Sequence, residues 1–427
     1  MTSLAGMKKS AGKEKSMKIL CLDLETTIAS EAHGAHAKDP KNYFVTTQWG
    51  VHPDNVHLQH QLDNIQRDLP EQFLKELKDT DILIGHNINF DLSYIYNSKD
   101  FQAYLARGGK IWCTQSAEYV LSAQRHSFSS LAELQEKYLG GKTKESRISR
   151  LFKAGIGADK IVEAKRRCPK VFALYEKYAL DDVRTTLLIF SKQWRLAKGM
   201  KLIEAVQLEQ EYLKYILIMS CTGIYVDIEG CQKTYRELKI KALELQTDAE
   251  AISAKYWTNP NLPTFNIASN AHKSLLLFGG CIQTKLKRED GCFKNGKTKF
   301  KTVDHYVGIR GFMLPVSLTQ ASKKEGFYKT GAEIIEQIYK SDSCTDDVKT
   351  FCGLMIEAAN LNKMCKTYLE AFMRLSIDGK LYPNFNNTKT VTGRLSSSSP
   401  NMQNIPSNGE MCKNIKESLL LLKVTNA

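Results

Sequence analysis

The run KILCLDLETT, Lys18 to Thr27, places the tightest constraint on folding, because a short apolar stretch closes on two carboxylates at i and i+2. An extended strand turns i and i+2 to one face, so Asp23 and Glu25 project together from its C-terminal end. Two like charges held side by side are unfavourable unless a cation neutralises them. Taken by itself, a D-x-E step also reads as a solvated strand end. The choice depends on whether further carboxylates arrive from elsewhere in the chain.

Two more stretches supply them. DILIGHN, Asp81 to Asn87, is a second short buried strand, and INFDLSYI starts a helical pattern directly after it. Asn87 and Asp91 frame that junction; alone, Asp91 is a first-turn helix acid favoured by the helix dipole. Between Val171 and Phe190 apolar residues recur at helical spacing, and Tyr178 and Asp182 form an i, i+4 pair on one face. Alone, that pair reads as a structural Tyr–Asp hydrogen bond. Asp181 points about 100° away from Asp182 around such a helix and is expected in solvent.

In order, D-x-E, N-x-x-F-D and Y-x-x-x-D resemble the three exonuclease motifs of the DEDDy 3′–5′ exonucleases, the proofreading domain of family A DNA polymerases. The stretches 112–121 and 131–140 look like the same domain. The resemblance implies an α/β ribonuclease H-like exonuclease domain, a mixed sheet flanked by helices, over residues 17–200, after a basic flexible N-terminus at 1–16. It also implies roles. Asp23 would bridge two Mg²⁺ (or Mn²⁺) ions, Glu25 and Asp182 would complete one site, and Asp91 would serve the second through water. Tyr178 would orient the attacking water, with Asn87 as strand-end support beside the DNA. The chemistry suits the residue types. Phosphodiester hydrolysis needs an activated water and a stabilised leaving oxygen, and two divalent ions about 3.5–4 Å apart serve both. Hard ions of this kind take carboxylate oxygens rather than thiolates.

From Lys201 the pattern becomes helical, with Gly223 placed to end one helix and Asp227 to cap the next, roughly 229–256. An ordinary helical hairpin has this pattern too; the string resembles the thumb of family A polymerases, assigned to residues 201–375. Within it, Lys285 to Lys301 is basic, with Gly291 and Gly296 as turns. A solvated loop, a phosphate contact at the thumb tip and a docking loop for a processivity factor are the competing readings. Lys363 and Lys366 stand at family landmarks and would touch the DNA backbone.

Val391 to Pro406, VTGRLSSSSPNMQNIP, is a polar, Ser-rich turn by composition. As an ordered string it resembles the segment that opens the palm of the same family, so residues 376–427 are assigned to an incomplete palm. The resemblance implies that Arg394 enters the minor groove of primer–template and that Asn401 and Gln403 contact DNA; Met402 stands where the family usually has leucine. Minor-groove acceptors vary little with sequence, as an enzyme that holds any duplex requires. No D-Y-S-Q-I-E-like segment follows Pro406, and the apolar run Leu419 to Leu422 has no neighbouring palm strands to cover it. The expectation is that this chain alone does not polymerise: either a companion chain carries palm and fingers, or the gene is truncated or interrupted.

Composition agrees with a DNA-directed role. The formal charge of +14 raises the local concentration of polyanions. No apolar run approaches the roughly 20 residues that span a bilayer, so no membrane partner is expected. The 11 cysteines include no C-x-x-C pair and read as reduced thiols in a cytoplasmic protein. The partners expected are primer–template, a single-stranded 3′ end and the companion chain. Two other functions compete: a non-catalytic DNA-binding or assembly subunit, and an RNase D-like RNA exonuclease. The second shares the acids but leaves the thumb and Val391 to Pro406 unexplained.

Overall fold

The computed structural model describes residues 17–405, apart from 29, 62–67, 127, 142–146, 294–296 and 320. The basic N-terminus, Lys294, Gly296 and the run from Pro406 through Leu419 to Leu422 lie outside the described residues. Two compact units emerge: the first runs to Val226 and takes up the chain again from Leu375, and the second is Asp227–Arg374.

The first unit is built on a five-stranded mixed sheet of β1 (Ile19–Thr26), β2 (Phe44–His52), β3 (Asn55–His60), β4 (Ile82–Gly85) and β5 (Lys110–Cys113), in the order β3-β2-β1-β4-β5. β1 pairs antiparallel with β2 and parallel with β4, while β4 and β5 are parallel. Strand periodicity divides the core. Leu20, Leu22 and Leu24 of β1 join Phe73, Leu92, Phe101 and Tyr104 on one face. Cys21, from the alternate positions, joins Ile82, Ile84 and Trp112 on the other, against Val183, Leu187 and Phe190 of the helix Pro169–Gly199. Asp23 and Glu25 share the parity of Cys21. They therefore look toward the long helix.

The helix Ile203–Thr222 belongs to this first unit, so the unit extends past the boundary expected near residue 200. Its apolar stripe Leu213, Ile216, Leu217 and Cys221 enters the core of the β1 leucines. Gln210 brackets the end of β5: its Oε1 accepts from Cys113 N at 2.7 Å and its Nε2 donates to Cys113 O at 3.3 Å. Gly223 ends the helix at φ +69°, and the Asp227 side chain accepts from Gly230 N at 2.9 Å, starting the helix Ile228–Ser253.

The Ser-rich segment is more ordered than a surface turn. Ser396–Ser398 pairs antiparallel with Asn384–Asn386, and Tyr119 Oη donates to Thr390 O at 2.6 Å. Lys380–Leu381, after the Asp378–Gly379 turn, pairs with Ile224–Tyr225.

The second unit is mainly helical. The helices Ile228–Ser253, Asn270–Phe278, Ala332–Lys340 and Asp346–Lys363 share a core of Ala249, Phe265, Leu276, Ile338, Phe351 and Met355. The last of these passes through a π-helical turn, Met364–Leu369, before Glu370–Leu375. Lys285 to Lys301 is largely strand, forming the distal part of a long antiparallel ribbon, Gly280–Cys292 with Thr298–Ile309. Among the described residues no helix is long and apolar enough to cross a membrane.

Candidate metal centre

β1 delivers two carboxylates and the long helix a third: ligand oxygens of Asp23, Glu25 and Asp182 all lie within 4.8 Å of one another. The helical side of this arrangement follows from its buried stripe. Tyr175, Ala179, Val183 and Leu187 recur at i, i+4 and seat the helix on the sheet. Tyr178 and Asp182 each precede a stripe residue by one and so sit on its margin, half-buried. Tyr178 hydrogen-bonds Asp182. Asp181, one step round, ion-pairs with Arg184 at 2.8 Å and stays half-exposed.

Asp91 joins from the helix Asn89–Ile95, where only 3% of its surface is exposed. Its Oδ1 accepts from Leu24 N, between the two β1 acids, at 2.9 Å. Asn87 makes the turn from β4 into this helix at φ +52°, a left-handed conformation that asparagine tolerates better than most residues. It lines a cleft shared with Phe90, Lys38 and Lys389.

The electrostatics are those of crowded like charges. Burial raises Asp23 to about 6. Burial, then the charge of Asp23, lifts Asp182 to about 8 against the opposing Tyr178 hydrogen bond. Burial and the charges of Asp23, Asp182 and Asp91 push Glu25 well above the carboxylate range. Asp91 is raised well above it too, by burial and then by Asp23, with the Leu24 N–H opposing. Burial and the Asp182 charge hold the Tyr178 phenol protonated. Such a group is stabilised by a cation, and its all-carboxylate donor set suits a hard divalent ion.

A cleft of about 1120 Å³ opens beside Tyr178 and Asp182, lined also by Arg147, Lys153 and Lys177. Arg147 and Lys153 gave no signal along the chain beyond a short helical run, RISRLFK, because only folding brings that run to the cleft; Lys177 stands on the same helix as Asp182. The buried Thr46 and Gln48 of β2 also escaped notice. Thr46 meets Tyr175 Oη at 2.6 Å, and the Gln48 amide, oriented to donate, reaches Asp23 O at 2.7 Å. Lys363 and Lys366 are exposed and belong to the second unit. Arg394 and Gln403 are exposed in the first, and Asn401 Oδ1 accepts from Ser397 Oγ and Gln403 N, holding the turn after the Ser-rich strand.

Residues 7–197 match the family model described as 3′-5′ exonuclease, and residues 312–423 match the model described as DNA polymerase family A. Together the two matches support a family A DNA polymerase with an exonuclease domain. DNA polymerase I of Caldicellulosiruptor bescii is 26% identical over 201 residues, which cover 47% of this chain and 18% of that protein. DNA polymerase I of Bacillus subtilis is 24% identical over 263 residues, 60% of this chain and 24% of the relative. A shorter stretch is 50% identical to DNA polymerase I of Helicobacter pylori over 55 residues, covering 13% of this chain and 6% of that protein. The match thus spans 18% and 24% of the first two relatives' own length. A solved structure described as the POL domain of Pol1 from M. smegmatis, in complex with DNA primer-template and dNTP, has a like fold, with TM-score 0.59 and 14% identity. That likeness covers 95% of this chain and 55% of the other. A mixed sheet with helices followed by a helical region fits an exonuclease joined to a polymerase-like fold.

Proposed function

We propose that this family A chain carries a divalent-metal-dependent 3′–5′ DNA exonuclease, used for proofreading, joined to parts that hold DNA. The observation that carries this reading is the meeting of Asp23, Glu25 and Asp182 within 4.8 Å, with Tyr178 hydrogen-bonded to Asp182. The β3-β2-β1-β4-β5 order supports a ribonuclease H-like assignment for the exonuclease domain. Asp23, Glu25 and Asp182 would hold Mg²⁺ or Mn²⁺, with Asp91 beside them for a second ion. Bound there, divalent ions supply an activated water and neutralise the leaving oxygen. Tyr178 orients water at the margin of the site, and Asp91 fixes the end of β1 through Leu24 N.

Asn87, Lys363, Lys366, Arg394, Asn401 and Gln403 are the proposed DNA contacts, with residues 201–375 as thumb and the segment from 376 as the opening of a palm. Among the described residues, Asp23, Glu25 and Asp182 form the one acidic group found with metal-ligand geometry. All ten cysteines among the described residues are free, which supports a reducing cytoplasm.

The test is release of nucleoside monophosphates from a 3′-labelled single-stranded primer. Mg²⁺ or Mn²⁺ should support release and EDTA should stop it. Asp23→Ala and Asp182→Ala should each lower the rate by about a thousandfold or more, since each removes a ligand of the group. A wild-type chain inert with both ions would reduce the reading to a DNA-holding subunit, and a preference for RNA would move it to the RNase D class.

A further inference from the structure

The ribbon of Gly280–Cys292 and Thr298–Ile309 has two halves of different character. Near its base, Thr284, Val307 and Ile309 are buried, and Leu286 and Val303, which pair across the strands, are half-buried. Beyond them, every described residue from Lys287 to Thr302 is exposed. At about 3.4 Å per residue, the strand from Lys287 to Cys292 extends roughly 20 Å past the anchored half. An isolated two-stranded ribbon is at best marginally stable in water.

The charges on this distal half do not serve the ribbon's own stability. Arg288 lies directly opposite Lys301. Like charges in that position are destabilising, whereas an opposite pair would contribute. From Lys287 to Lys301 the sequence holds six basic residues and two acids, Glu289 and Asp290, whereas Lys285, nearer the base, lies opposite Asp304. The distal basic residues occupy both faces: Lys287 points to one side, Arg288 and Lys301 to the other. Exposed aromatics interleave with them, Phe293 at 54% and Phe300 at 55%.

We propose that this ribbon is a binding element for duplex DNA, seated in a groove and clamped by phosphates on both sides. A two-stranded ribbon fits the major groove, about 12 Å wide, and basic residues on both faces match an element with a phosphate backbone on either hand. A single strand would need them on one. Phosphate contact relieves the Arg288–Lys301 repulsion, and the aromatic rings meet sugars and thymine methyls. The inference rests on the reading of DNA as the substrate class, and it assigns a separate element for gripping it.

The test titrates a fluorescent blunt duplex and a single-stranded oligonucleotide in EDTA, at several salt concentrations, against the wild type and K287A/R288A/K299A/K301A. Duplex affinity of the variant should fall about tenfold or more at low salt. Its log K against log salt slope should flatten by about 3 to 4, at roughly 0.9 per lost phosphate contact. Single-strand affinity should change less than about twofold. A second variant joins Leu286 to Val303 through Asn-Gly in place of residues 287–302; those two pair across the ribbon, so a two-residue turn keeps the register. It should show the same loss with an unchanged thermal melt. Unchanged duplex affinity in both variants overturns the proposal and leaves an acidic protein surface as the ribbon's partner. Equal loss on single strands overturns it in favour of a strand-tracking role. Nucleotide release by the wild type is followed in the same preparations with Mg²⁺. An inert wild type tells against the exonuclease alone, because the duplex titration does not depend on catalysis.

Discussion

At the scale of single residues, Asp91 couples the architecture of the acidic group to its chemistry. Its carboxylate accepts the Leu24 N–H, so the backbone between Asp23 and Glu25 is held by a third acid of the same cluster. Asp91→Ala leaves that buried N–H unpaired and should lower unfolding stability by about 1–3 kcal/mol in urea titrations. Asp91→Asn keeps an acceptor and removes a like charge. In EDTA it should be at least as stable as wild type while its nucleotide release falls; a destabilised Asn variant would show that the hydrogen bond needs the charge. The pairing of Asp23 with Glu25, and of Tyr178 with Asp182, was legible because period 2 and period 3.6 each fix which side chains share a face. Arg147 was not legible as a neighbour of the site: it lines the same cleft as Asp182 from a separate helix, Arg147–Lys153, and no local period encodes that juxtaposition.

At the scale of elements, the helix Ile203–Thr222 shows how tertiary packing can redraw a boundary that periodicity suggests. Its apolar stripe matches the sheet's core, and Gln210 completes the hydrogen bonding of Cys113, so it stays with the first unit. Its end was readable in Gly223, the residue type that takes φ +69° without strain. A Cβ at that position would lie 2.8 Å from Leu381 O. Gly223→Ala should therefore lower stability by more than the roughly 1 kcal/mol of the backbone term alone, read as a drop in melting temperature. A neutral substitution would mean that the Leu381 strand yields. The ribbon was the element that sequence left open. With charges on both faces of its outer half it lacks the apolar–polar alternation that marks a half-buried strand, so a loop fitted the pattern equally well.

At the scale of the whole molecule, the acidic group makes stability depend on pH and on metal in a definite direction. Unfolded carboxylates lose their protons near pH 4, whereas folded Asp23 and Asp182 keep theirs to about 6 and about 8. Across that window the folded chain binds more protons than the unfolded one, so this contribution falls as pH rises from about 4 to about 8. Divalent ions bind the deprotonated group and offset the loss. The rise in melting temperature on exchanging EDTA for Mg²⁺ should be larger at pH 8 than at pH 6, and Asp182→Asn should shrink the difference. An Mg²⁺ effect that does not change with pH would remove the acids from the binding site. The two-residue ladder between Ile224–Tyr225 and Lys380–Leu381, reinforced by Val226 N donating to Gly379 O at 3.0 Å, has a consequence of another kind. It sutures the chain on either side of Asp227–Arg374, which makes that unit a guest threaded into a host sewn from two lengths of sequence. A guest held at a suture can lengthen, acquire a ribbon or be exchanged over evolutionary time while the host's fold is kept.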